Sequence, residues 1–199
     1  RWIPLRHGEK QQNFALTAET GFADAGDVAI RCRQAADLAG ATKMDRPEWI
    51  AVHPKTGEVY VTLTNNSLRG TPEVPGLNAA NPRAKNTFGH ILRWREKAGN
   101  AAADTFEWDI FAMAGDPQHA NEQQRGTIKG DAYGSPDGLW FDPSGHLWIQ
   151  TDVSTSVLRQ GEYANLGNNQ MLVADVKSGE TRRFLTGPNG CELTGITAT

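Results

Sequence analysis

This sequence lacks a surplus of charge of either sign: 20 lysines and arginines face 23 aspartates and glutamates, a formal net charge of -3. Nucleic-acid binding needs a basic surplus gathered on one face, so the near balance argues against nucleic acid as a main partner. Long apolar runs are missing too, and none reaches the length of a membrane-spanning helix. Cysteine is scarce. Cys32 and Cys191 are the two present, and without CxxC spacing they point to neither a zinc clip nor a redox pair. Two buried free thiols are favoured over an export-compatible disulfide. An initiator methionine, a basic n-region and an apolar h-region are all absent at Arg1, so no signal peptide is visible. The other end, Gly195-Ile196-Thr197-Ala198-Thr199, reads like the middle of a strand. Both ends lead to the expectation of a fragment, from which a targeting signal could have been lost.

What remains is a globular composition, 38% hydrophobic and 22% charged, in a chain long enough at 199 residues for one sizeable core. Residues 1–44 differ from the rest. An extended piece at Arg1–Leu5 and polar loop precede a short helix over Asp27–Ala39. There Val28, Cys32, Ala35 and Ala36 share a face, Ile30 breaks the pattern, and Gly40 follows as a stop. From Asp45 the chain repeats itself. Pro47-Glu48-Trp49-Ile50-Ala51-Val52-His53-Pro54-Lys55-Thr56-Gly57 is matched by Pro136-Asp137-Gly138-Leu139-Trp140-Phe141-Asp142-Pro143-Ser144-Gly145. Each is a proline-acid start, a strand and an x-Pro-x-Gly turn, followed by a second strand rich in aromatics. A long polar loop and another strand pair complete each unit, at His90–Arg95 with Thr105–Ala112 and at Gln170–Val176 with Glu180–Leu185. A third unit opens at Cys191-Glu192-Leu193-Thr194-Gly195.

Four short antiparallel strands in series read as a β-propeller blade, with a β-sandwich of similar hairpins as the alternative. The expected fold is mainly β: a partial propeller of about two four-stranded blades and the start of a third, with a short N-terminal helical segment. The blades are placed at 45–115 and 135–188, the next opening at 190–199, all within one domain. Closing a ring takes about four or more blades. Exposed blade edges and apolar faces lead to the expectation of a longer chain or self-association.

In such a fold the blade starts and the ends of the second strands meet at one face. Glu48, Asp137 and Glu192 occupy the same place in three successive units, and Asn65, Asn66, Thr151 and Asp152 end the second strands. Each acid alone would be read as a turn cap. Their coincidence of position favours a hard-oxygen cation site, suited to Ca²⁺ rather than zinc. The loops Ser67–Phe88 and Val153–Asn169 lie at that face, where substrate contacts are expected. The first carries Arg69, Arg83 and Lys85 and ends with Asn86, and arginine binds phosphate esters bidentately. His53 and Asp142 sit in the far turns and read as turn residues. His119 and His146 read as solvated and His90 as a satisfied edge histidine. Trp49, Trp94, Trp108, Trp140 and Trp148 read as blade packing.

Met44-Asp45-Arg46-Pro47-Glu48, Glu58-Val59-Tyr60-Val61-Thr62-Leu63-Thr64-Asn65-Asn66, Asn81-Pro82-Arg83-Ala84-Lys85-Asn86-Thr87-Phe88-Gly89-His90-Ile91, Pro136-Asp137-Gly138-Leu139 and Gly190-Cys191-Glu192-Leu193-Thr194-Gly195 together resemble the PhoX-type alkaline phosphatases, from roughly Ala25 to the last residue. The resemblance implies a secreted or periplasmic, monomeric propeller that hydrolyses small phosphate monoesters with bound calcium and iron. It implies Glu48 and Glu192 as metal ligands, with Asp137 beside them, and leaves the catalytic residue unassigned. Arg83, Arg69 and Asn86 are the expected substrate contacts. The family's tryptophan-rich motif with its iron-holding Cys-Glu pair has no counterpart here, so little turnover is expected from these residues alone. The proline-acid phrase is also similar to calcium-dependent lactonases of the gluconolactonase and regucalcin type, which gives the second reading. The third is a non-catalytic, cation-stabilised propeller that binds a protein.

Overall fold

A computed structural model describes residues 1–11, 13–74 and 76–198; Gln12, Pro75 and Thr199, the last in the expected third unit, lie outside the described residues. Two short strands, β1 (Lys10–Gln11) and β2 (Phe14–Ala15), pair antiparallel, and no strand forms over Arg1–Leu5. Helices α1 (Ala25–Ile30) and α2 (Cys32–Leu38) follow. The single helix expected at 27–39 is therefore two. Arg31 leaves helical geometry (φ -105°, ψ 36°), and its guanidinium lies 4.6 Å over the Phe22 ring while bonding Asp27. Asp24 caps α1 by accepting the Asp27 N–H at 2.8 Å. Val28 and Ala35 are buried with Leu16 and Phe22. The break turns Cys32 outward, so the two thiols are free as expected but not buried: Cys32 is exposed and Cys191 half-buried.

The first repeat forms β3 (Pro47–Val52), β4 (Val59–Leu63), β5 (His90–Glu96) and β6 (Phe106–Met113), a four-stranded antiparallel meander in chain order. The second follows β7 (Lys129–Gly130) and forms β8 (Pro136–Phe141), β9 (Leu147–Thr151), β10 (Gln170–Ala174) and β11 (Glu180–Thr186). There β7 adds to the outer edge parallel to β11, giving the order β7-β11-β10-β9-β8. The strand was not foreseen, because two residues carry no period. The chain is thus mainly β, with three sheets, none closed into a barrel. Cys191–Gly195 forms no strand; where the third unit was expected to open, the segment is tied to the second sheet by the Asn169 bond to Cys191 O. No helix among the described residues is long and apolar enough to cross a membrane.

The far turns use one device twice. His53 accepts the Lys55 and Thr56 N–H groups on Nδ1, each at 3.1 Å. Asp142 accepts the Gly145 and His146 N–H groups on Oδ1 at 2.8 and 3.0 Å. Burial alone would raise the Asp142 carboxyl. Hydrogen bonds from His146, Trp148 and Gly145 outweigh it and hold the group at about 2. His53 and Asp142 are turn residues, as expected. Between the sheets lies the main core, where Tyr60, Ile91, Phe141, Leu147, Ile149 and Leu172 meet. Tyr60 sits edge-on to Phe141 at 5.1 Å between ring centres. Trp94, Trp140 and Trp148 are half-buried on the sheets, whereas Trp49 and Trp108 are exposed rather than packed.

Candidate metal centre and adjoining cleft

The two sheets meet through β3 and β8, and both of these inner strands begin with the same irregularity. The β3–β4 register shifts between Pro47 and Ile50, and the β8–β9 register between Pro136 and Leu139. Each bulge contains the acid of the proline-acid phrase, Glu48 or Asp137. A bulge re-aims its side chains out of the strict alternation of a strand. Thr62 ties the two bulges together. Its hydroxyl accepts the Trp49 N–H at 3.0 Å and donates to the Asp137 carbonyl at 2.8 Å.

Asp137 on β8, Asp152 just past β9 and Glu192 on the C-terminal segment offer carboxylate oxygens that all lie within 4.8 Å of one another. Asp137 is buried, Asp152 half-buried and Glu192 exposed, so the group opens to solvent on one side. Burial first, and then the charges of Glu48, Asp152 and Glu192, push the Asp137 carboxyl up to about 6. Asp137 and Glu192 come together as the sequence indicates. Asp152, noted there only as a strand end, is the third member. Glu48 is close enough to act on Asp137 but stands outside the trio, 3.6 Å from the Arg46 guanidinium. The donors are all hard carboxylate oxygens, with no cysteine or histidine among the described residues of the cluster. That set fits Ca²⁺ or a similar cation; an iron ion would draw on carboxylate oxygens alone from these residues.

Among the described residues, a basic side chain acts on the buried acid. Arg46 lies on the turn before β3, lowers the Asp137 carboxyl, and donates from Nη1 to Asn65 Oδ1 at 2.9 Å. Asn65 in turn donates to Ser135 Oγ at 3.2 Å, and Ser135 Oγ lies 2.7 Å from the Tyr163 hydroxyl, which donates to Thr87 O at 2.5 Å. The chain of bonds joins both sheets and both long loops. Burial raises the Tyr163 hydroxyl against the bonds from Ser135 and Asn65, and the charges of Arg46 and Asp152 act on it in opposite directions. Beside it opens a cleft of about 490 Å³, lined by Asn65, Ser67, Thr87, Ser154, Gln160 and Tyr163 among others. The long loops do meet where substrate contacts were expected.

The basic residues expected to touch substrate do not line that cleft. Arg69 is buried and donates from Nε to Asp45 Oδ1 at 2.7 Å and from its terminal nitrogens to Gly76 O and Lys43 O. Asn86 is also buried, donating to Asp45 Oδ2 at 3.0 Å and accepting the Gly89 N–H at 3.1 Å. Arg83 donates to Ala114 O at 2.7 Å and Arg125 O at 2.9 Å, and burial brings its guanidinium down to about 10. All three shape their loop from inside. A loop of 20-odd residues without strands has backbone carbonyls to satisfy, and arginine forks do this well. His90 is satisfied, with Nε2 2.7 Å from Ala80 O and Nδ1 3.0 Å from Asn86, but it is wholly buried on an interior strand and no edge residue. His146 is half-exposed beside Asp142. His119 is not solvated: its Nε2 lies 2.5 Å from Glu162 and its ring packs on Phe88.

Sequence reading missed Arg46 and Tyr163 as members of the site. Arg46 adjoins the proline-acid phrase, and that adjacency is the signal that could have found it. Tyr163 carried none, since it stands in a loop without pattern.

The alkaline phosphatase PhoX family matches residues 1–199. A solved structure, Pseudomonas fluorescens PhoX in complex with vanadate, a transition state analogue, is similar to this chain at 49% identity and a TM-score of 0.86. The match covers 98% of this chain and 33% of that one, so the chain spans about a third of its length. Comparison with curated proteins gave no match.

Proposed function

This chain belongs to the alkaline phosphatase PhoX family, and on that premise we propose that it carries part of the metal centre of a phosphomonoesterase. The carrying observation is the convergence of Asp137, Asp152 and Glu192 beside Arg46. The two meander sheets, packed through their inner strands, are two blades of a β-propeller, and the cluster lies at one face of its channel. The protein is secreted or periplasmic, as its family resemblance implies. Calcium is the cation its carboxylates suit, with iron as the family's second metal.

Bound there, the cation would supply positive charge against the phosphoryl oxygens. The protein's own groups do the rest. Asp137, Asp152 and Glu192 converge although distant in sequence, so the site is shaped by the fold before any ligand arrives. Arg46 offers N–H groups to a phosphate oxygen at the rim, and its bond to Asn65 limits where the guanidinium can swing. The cleft beside Tyr163, with its serine hydroxyls and the Gln160 amide, receives the alcohol part of a small ester.

The test is hydrolysis of a chromogenic phosphate monoester by the full-length protein, since little turnover is expected from these residues alone, before and after exhaustive chelation. Activity should be lost and return with Ca²⁺, with or without added iron. Full activity in chelator would discard the metal reading. Cleavage of sugar lactones without phosphatase activity would replace it with the lactonase, and neither activity with a cation-stabilised binding protein.

A further inference from the structure

Asn169, at the entrance to β10, is wholly buried. A side-chain amide has two N–H donors and an oxygen with two acceptor sites, and here all four are used. Oδ1 accepts from Thr151 Oγ1 at 2.9 Å and from the Val153 N–H at 2.7 Å. Nδ2 donates to Val153 O at 2.9 Å and to Cys191 O at 3.0 Å. The partners settle which way the amide faces, since the Val153 N–H can only donate and the two carbonyls only accept.

Thr151 and Val153 flank Asp152, and Cys191 precedes Glu192. One side chain therefore holds the hydroxyl of the residue before one carboxylate, the backbone of the residue after it, and the backbone directly before another. The Asn169 main chain adds to this by accepting the Gly187 N–H at 2.8 Å, while Gln170 N–H donates to Thr151 Oγ1 at 3.0 Å. Residues 191–198 form no strand. Among the described residues, Asn169 makes the one side-chain hydrogen bond that reaches them. Two carboxylates this close repel, so the segment carrying Glu192 would move away without such a tie.

We propose that Asn169 is the positioning residue of the acidic cluster, holding Asp152 and Glu192 together before any cation binds. The proposal rests on reading Asp137, Asp152 and Glu192 as a cation site. Its test compares Asn169→Ala with Asp142→Ala, a change at the opposite end of the same sheet, by amide hydrogen exchange in chelator and calorimetric titration with Ca²⁺. Asn169→Ala should speed exchange in 151–153 and 187–193 together and weaken Ca²⁺ binding about ten- to a hundredfold. Asp142→Ala should do neither. Should Asn169→Ala not fold, Asn169→Asp keeps both bonds to Oδ1 but sets an oxygen against the Val153 and the Cys191 carbonyls, so exchange should rise in both segments and more in 187–193, which keeps no bond to the side chain. Unchanged exchange in those segments, or a Ca²⁺ affinity equal to the Asp142→Ala control, overturns the proposal. If the unaltered chain binds no Ca²⁺ while exchange still rises in both segments, the clamp stands and the cation reading falls.

Discussion

Asp137→Asn should stabilise the cation-free protein at pH 8 and destabilise it relative to the unaltered chain once Ca²⁺ is in excess. The folded carboxyl titrates at about 6 against an ordinary 3.8. Between those values the folded state keeps a proton that the unfolded state has released, so stability falls as pH rises through the window and stays low above it. At about 1.36 kcal/mol per pH unit the interval corresponds to about 3 kcal/mol. Solvent reaches the carboxylate from the open side where Glu192 is exposed, and screening reduces this to about 1–2 kcal/mol. For a chain of this length that is a gain of about 2–8 °C in Tm for the variant in chelator at pH 8. Near pH 4 most of the gain should be lost, and well below the ordinary 3.8 both states are protonated and it vanishes. Calcium at a hundred times its Kd adds about 2.7 kcal/mol to whichever protein binds it, which exceeds the penalty, so the order reverses. Thermal melts of both proteins at pH 4 and pH 8, with chelator or Ca²⁺, read all of this. A variant no more stable than the parent at pH 8 in chelator, or equally stabilised at pH 4, would refute the reasoning.

Arg69→Met strands the Asp45 carboxylate in the interior, where both partners are now buried, and should cost about 3–5 kcal/mol in chemical denaturation. Adding Asp45→Leu should recover part of that loss, and strict additivity would show that the two do not interact. Gly89→Ala should cost more than about 2 kcal/mol, because a Cβ there would lie 2.0 Å from Thr64 O at a φ of +74°; a wild-type melt would contradict the backbone path. Glu192→Gln should weaken Ca²⁺ binding while Asp142→Asn leaves it unchanged. Equal effects in a titration would mean that the acidic cluster and the far turns have been assigned to the wrong faces.

The sheets were readable because their signals are local and repeated. Pro47-Glu48 and Pro136-Asp137 each announce an inner strand, and His53 and Asp142 each open a turn that closes on glycine. What sequence periodicity could not give was direction. The helix from 27 to 39 has the right spacing, yet one arginine that prefers the Phe22 ring and Asp27 breaks it and turns Cys32 to solvent. Arg69 and Arg83 looked like anion ligands because their loop is basic. They are instead consumed by carbonyls and by Asp45, partners scattered over the chain with no spacing to reveal them. Asn169 was invisible for the same reason, since its four bonds tie two distant stretches of the chain, 151–153 and Cys191, to its own.

The cluster itself follows from a backbone used twice and a segment used once. Arg46 and Ser135 both adopt a left-handed φ of 51°, each directly before the proline of its unit. A non-glycine residue there costs on the order of 1–3 kcal/mol, and a following proline disfavours further alternatives. The two side chains have nothing in common, one an exposed guanidinium and the other a buried hydroxyl, so they are not the reason for the strain. The carbonyls are alike: Arg46 O accepts the Thr64 N–H at 3.1 Å and Ser135 O accepts the Asp152 N–H at 3.0 Å. The strained turn thus fastens the start of each inner strand to the end of its neighbour, and the bulge beyond it presents the acid. In the second unit the fastened residue is Asp152, and two carboxylates meet. In the first it is Thr64, a hydroxyl, so Glu48 has no acidic partner on its own sheet and pairs with Arg46 instead. The same geometry therefore produces an acid pair in one unit and an acid-base pair in the other. Glu192, delivered by a stretch that follows neither pattern, completes the acid pair of the second unit.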